Sequence, residues 1–183
     1  MMDPAMIERL ESLSTSEFGD APWSDEELLA VVSDTSRIKA RLHACEVLFR
    51  RDLQKFLGTI GAPTVAAIYA VALKQRAATD LNPWGFLGQG DLGPMGQHLV
   101  ACGDSAVTEL APLLGARQSA GLYSGSKESK LGDSDNARIC DFAAFFISLV
   151  KGLPYSFHRE SIARRDADIE QLKKNLQGGV TEM

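Results

Sequence analysis

At 183 residues, with 45% hydrophobic and 23% charged side chains, the chain is long enough for one domain with a real core and too apolar for wholesale disorder. A net charge of −5 excludes nucleic-acid binders held on phosphates by a basic excess. The nearest approach to a basic face, Arg37, Lys39, Arg41, Arg50 and Arg51, falls on a helical pattern whose other positions are apolar, and reads as that helix's solvated side.

In chain order, Pro4 opens a first short helix with Met6, Ile7, Leu10 and Leu13 on its apolar side, and the polar run Ser14-Thr15-Ser16 stops it. Ser24 and Glu27 have the spacing of a capping box ahead of Leu28, Leu29 and Val32. These elements, residues 1–35, are expected to form a terminal cap or arm on a helical domain of residues 36–177, with 178–183 a frayed tail. The strongest amphipathic pattern starts near Ser36 and carries Ile38, Leu42, Cys45, Leu48, Phe49, Leu53, Phe56 and Leu57, ending at Gly58 or Gly61. Pro63 starts the next helix, with Val65, Ala66, Ile68, Tyr69, Ala72 and Leu73 facing inward, and so short a connection makes the two antiparallel neighbours.

Asn82-Pro83-Trp84-Gly85-Phe86 interrupts the helical pattern. Two aromatic rings in a loop are seldom free in solvent, so this segment reads as a packed corner, with an exposed Trp84 and Phe86 knob for a partner as the other option. Gly103 then separates two helices at a tight corner, the second capped from Asp104 onward. A polar, glycine-containing loop, Gly115 to Asp135, is long for a helix connection. From Asn136 to Val150 the residues Ile139, Phe142, Ala143, Phe146, Ile147 and Val150 keep helical spacing. Cys140, Ala144, Phe145 and Leu149 fill the remaining circumference, so this helix has neighbours on more than one side. A last helix from about Ser161 carries Ile162, Ile169, Leu172 and Leu176 on one side, with Glu170 and Lys174 ordered for an ion pair. Strand alternation and hairpin turns are absent, so the fold is all-α: one compact domain of about seven helices.

The run Gly103-Asp104-Ser105-Ala106-Val107-Thr108-Glu109-Leu110-Ala111-Pro112-Leu113-Leu114 resembles the second helix of a HEAT repeat, and Arg138 through Gly152 resembles the helix that stacks after it. The resemblance covers residues 94–152. It implies irregular HEAT-like antiparallel helix pairs, a protein-binding helical surface and no catalytic residue.

Candidate chemistry is sparse. Ser124-Gly125-Ser126-Lys127 and Ser134-Asp135-Asn136 match two of three marks of serine β-lactamases, but they sit about ten residues apart in one polar loop, with no K-T-G and no strands for an oxyanion site. His43, His98 and His158 have no neighbouring ligand at helical spacing, so they read as solvated or core-satisfied and no metal or cofactor is expected. Three cysteines, Cys45, Cys102 and Cys140, lack metal spacing, suit a reducing compartment and read as small core residues. Arg138 and Asp141, three apart, read as an ion pair that fixes the loop against the next helix. The loop residues Tyr123, Ser126, Lys127, Glu128, Lys130, Asp133 and Asp135 offer mixed charge beside a tyrosine, a surface suited to recognition.

The amino terminus lacks the basic start and apolar run of a secretory signal, and Val65 to Leu73 is about half the length of a membrane crossing. The expectation is a cytoplasmic, non-enzymatic protein that binds another protein, with no nucleic-acid or membrane partner. A toxin-neutralising immunity protein fits, its acidic surface meeting a basic toxin or effector. The competing expectations are an adaptor or assembly factor, and a helical enzyme whose site is assembled from dispersed residues.

Overall fold

The computed structural model describes residues 3–75, 84, 85, 92–120 and 137–178. Among these the regular structure is helical, as the spacing predicts. Helix α1 spans Pro4–Ser12, with the Asp3 side chain capping Ala5 N at 2.9 Å. A 3-10 turn over Thr15–Asp20 follows, where the polar run ends the first helix. It exists because Ser14 and Glu17 satisfy each other's backbone and Phe18 is buried beneath it. Helix α2, Asp25–Ser33, has the expected capping box: Ser24 N donates to Glu27 Oε2 at 2.8 Å and Glu27 N to Ser24 Oγ at 3.2 Å.

Helix α3, Ile38–Ile60, is the hub of the fold. Residues 42–49 are buried without interruption. Helices α1 and α2 and the first 3-10 turn lie against it, and so do two later helices, α4 (Ala62–Lys74) and α5 (Pro94–Ala101). The expected single stripe is therefore a helix enclosed along its middle. Near its end α3 kinks at Asp52, whose backbone is extended; Asp52 Oδ1 accepts from Lys55 N at 2.9 Å and so caps the last turns as a fresh start. The α3 and α4 axes then turn through 112° at Gly61.

Helix α6, Asp104–Leu110, packs on α4 and runs into a second 3-10 turn, Ala111–Gly115. The corner before α6 is Gly103 itself, with φ +55, and no side chain caps the helix; Asp104 instead pairs with Lys151 at 2.9 Å. Helix α7, Ile139–Lys151, is buried nearly all round, as its pattern indicated, and stops at a left-handed Gly152. Helix α8, Ile162–Gly178, covers α7 from one side. Its buried stripe is Arg165, Ile169 and Leu172, whereas Ile162, expected inside, is exposed. Lys173, not Lys174, pairs with Glu170, at 2.7 Å.

One apolar cluster runs from Met6 to Leu172. The amino-terminal elements supply part of it: Leu10, Phe18, Leu28 and Val31 are all buried. At about 1.5–3 kcal/mol for each such side chain this burial is comparable with a whole domain's net stability. The cations of α3 add directional ties. Arg51 donates to the carbonyls of Ala21 and Trp23, both at 2.9 Å, and meets Asp25 at 2.8 Å, while Arg41 donates to Val32 O at 2.8 Å. These two arginines of the supposed solvated face thus hold α2 in place. Across 1–35 nine carboxylates stand against one arginine, so this segment is the electrostatic complement of α3.

Candidate functional site

Two clusters of charged and polar side chains sit where several helices converge, and the first lies where residues 116–120 meet residues 137–141. The described backbone ends at Ala120 and resumes at Ala137, and these two ends are joined. Ser119 and Arg138 form an antiparallel bridge; Ala120 N donates to Ala137 O at 2.9 Å, Ile139 N to Gln118 O at 3.1 Å and Cys140 N to Ala116 O at 2.9 Å. Beneath the bridge Asp141 is fully buried. Its carboxylate accepts from Arg138 N at 2.9 Å, from Arg138 Nε at 3.1 Å and Nη2 at 2.9 Å, and from Arg165 Nη1 of α8 at 2.9 Å. Arg138 also reaches Asp166 at 2.8 Å, and Arg117 pairs with Asp166 at the rim. Arg165 lies over the Phe157 ring at 4.4 Å.

The expected Arg138–Asp141 pair is present, between the N-cap and the first turn of α7. It is one part of a network of three guanidinium groups, Arg117, Arg138 and Arg165, and three carboxylates, Asp141 of α7 and Asp166 and Glu170 of α8. Hydrogen bonding to Asp141 raises the Arg138 pKa against the effect of its own burial. For Asp166 the desolvation would raise the pKa, but the Arg138 hydrogen bond and the surrounding guanidinium charges hold it below the ordinary range.

Tyr123, Ser126, Lys127, Glu128, Lys130, Asp133 and Asp135, together with Phe86 and the Ser124–Lys127 and Ser134–Asn136 motifs, lie outside the described residues. Trp84 is described, and it is fully buried, edge-on to Tyr69 at 5.8 Å and 6.1 Å from the Phe146 ring. For Trp84 this is the packed option and not the exposed one. A ring with no accessible surface presents nothing to a partner, and Gly96 makes the packing possible: a Cβ there would stand 2.2 Å from Trp84 O.

Comparison with protein-family models, curated proteins and solved structures finds no match.

The second cluster joins α3, α4 and α5. Glu46 is 1% exposed, yet it accepts from the Tyr69 hydroxyl and from His98 Nδ1, the latter at 2.9 Å. Phe49 packs edge-on against the imidazole at 5.1 Å. Burial first, and the Glu46 charge second, push the Tyr69 hydroxyl far above its ordinary range, so it remains a donor. With Nδ1 committed to the carboxylate, Nε2 is the ring's remaining nitrogen, and His98 retains 8% exposure.

Sequence reasoning did not single out Glu46, Arg165, Asp166 or Arg117. A signal existed for two of them. Glu46 follows Leu42 by four and precedes Phe49 by three, and Arg165 precedes Ile169 by four and Leu172 by seven. Each charge stands on the buried stripe of its helix.

The other polar residues follow the packing. His43 is fully buried, with Nδ1 2.7 Å from Leu10 O, and His158 lies 3.3 Å from Asp168. All three cysteines are buried and free, as core residues would be, and burial raises the Cys45 and Cys140 thiol pKa values and takes Cys102 up to about 11. Among the described residues no three metal-ligating side chains converge, and no single helix is long and apolar enough to cross a membrane.

Proposed function

We propose that the chain is a cytoplasmic, non-enzymatic protein-binding domain that presents the 121–136 segment to a protein partner from a fixed base. The observation that supports this is the joined base itself: the Ser119–Arg138 bridge over the buried Arg138–Asp141–Arg165 network. Buried ion networks contribute little net stability compared with apolar packing but define one geometry sharply. Such a device at the two ends of a polar segment suits recognition, because a partner then meets a segment whose attachment points are already ordered. The acidic balance of the chain favours a basic partner, and a toxin-neutralising immunity protein is the specific form that size and charge support. HEAT-like helix pairing in residues 94–152 belongs to the same reading.

The test is co-expression. A toxic neighbouring reading frame is produced alone, with this chain, and with a variant whose residues 121–136 are replaced by an equal length of glycine and serine. The reading expects growth to be restored by the native chain and not by the variant, at equal folded amounts; rescue by both, or by neither, overturns it.

The Glu46–His98 pair favours a second reading, a helical enzyme. A buried carboxylate that holds Nδ1 fixes the orientation of the imidazole and leaves Nε2 as the nitrogen for chemistry, the orientation a general base requires. Ethoxyformylation of His98 at a rate well above that of His158 would favour this reading; protection of His98 would leave the triad as a core fastener.

A further inference from the structure

His43 stands where α1 and the first 3-10 turn meet α3. Its ring is fully buried, and Phe18 of the turn covers it at 5.0 Å between centroids. Nδ1 donates to Leu10 O at 2.7 Å, a link across 33 residues between α1 and α3. Nε2 is buried with no hydrogen-bond partner. A neutral ring satisfies this geometry: one N–H for the carbonyl, and a bare lone pair facing apolar surroundings. A protonated ring does not, because it carries a second N–H and a charge into a place closed to solvent and without a hydrogen-bond acceptor for it.

Residues 3–20 are tied to one another and packed on α3. Arg9 and Glu17 pair at 3.7 Å, Ser14 and Glu17 cap the turn, and α1 and the turn both pack against α3. The charges around His43 are few. Lys39 and Glu46 are on α3; Glu46 favours the imidazolium and Lys39 opposes it, but Glu46 is already engaged by Tyr69 and His98. From the opposite side, Glu17 is turned back on Ser14 and Arg9, and Glu11 pairs with Arg37 at 3.4 Å at the surface. Arg50 lies beyond Phe18, 6.0 Å from that ring.

We propose that His43 is a proton-operated latch: the neutral ring holds residues 3–20 on α3, and protonation of Nε2 opens this unit while the rest of the fold stays closed. Burial lowers the ring's pKa from its ordinary 6.5. Below 6.5 the opened unit takes up a proton that the docked one refuses, so docking weakens as pH falls.

Amide hydrogen exchange on the intact chain at pH 7.5 and 5.0, corrected for the intrinsic pH dependence of exchange, reads the opening directly. For a ring that stays neutral while docked, protection across α1 should fall by up to about 30-fold over that interval, with α7 unchanged. His43→Gln, which keeps a donor for Leu10 O, should abolish the dependence, and His158→Gln should preserve it. The ring resonances of His43 in the native chain give a readout that needs no substitution, since they should keep the neutral-ring shifts at pH 5.0 for as long as α1 remains mostly docked. A change below about twofold, an equal loss in α7, a dependence that persists in His43→Gln, or ring protonation without opening would each overturn the latch.

Discussion

Asp141→Asn is the sharpest probe of the loop base. The substitution keeps the shape and removes the charge to which two buried guanidinium groups are tied. Asp141 accepts four donors within 3.1 Å, one from the backbone of Arg138, two from its guanidinium and one from Arg165. An asparagine oxygen can serve only part of that set, and its amide hydrogens point at donors. Arg165 is 1% exposed and Arg138 is 9% exposed, so neither charge can turn to water in place. Removing one partner of a buried ion pair costs about 3–5 kcal/mol, which for a chain of this size is a fall in Tm of about 6–20 °C. Urea unfolding read by circular dichroism should show the midpoint fall with an unchanged slope. The combined Arg138→Met, Asp141→Leu, Arg165→Met variant should recover a large part of the loss, because it removes the charges together. A loss below about 1 kcal/mol in Asp141→Asn, the value of a solvated surface pair, would refute the buried network.

Further expectations follow from the packing. Gly96→Ala should destabilise by about 1–3 kcal/mol or more, because its Cβ meets the Trp84 carbonyl and the Phe146 ring; an unchanged Tm would show that α5 can move away from the corner. Tyr69→Phe should cost about 1.5–3 kcal/mol by removing a hydrogen bond to a charged group, measured by the same urea titration. Arg51→Ala strands the carbonyls of Ala21 and Trp23, and exchange protection should fall in α2 before it falls in α7. Between pH 7.5 and 5.0 the amino-terminal unit should loosen, the sign set by a His43 pKa lowered through burial.

Much of the architecture is legible in the residues because it rests on local chemistry. The Ser24 and Glu27 box, the Gly103 corner, the enclosed helix at 139–151 and the terminal Gly152 are all decided within a few positions. The kink at Asp52 is also local, but an aspartate within a helical stripe reads as a surface residue unless the following turn is tested for a cap. The charged clusters are illegible for a different reason. Glu46 meets its imidazole 52 residues later, and Asp141 meets Arg165 24 residues later. Periodicity shows a charge on a buried stripe but not the distant group that satisfies it. Trp84 shows the converse: its size and setting predicted burial, and burial removes it from any binding surface.

The most direct test of the account is binding of a partner identified by the co-expression experiment, measured by calorimetry for the native chain and for the variant with residues 121–136 replaced by glycine and serine. For the variant a Kd at least tenfold weaker is expected, about 1.4 kcal/mol, with Tm unchanged. Equal affinity at equal Tm would place recognition on the helices and contradict the proposal.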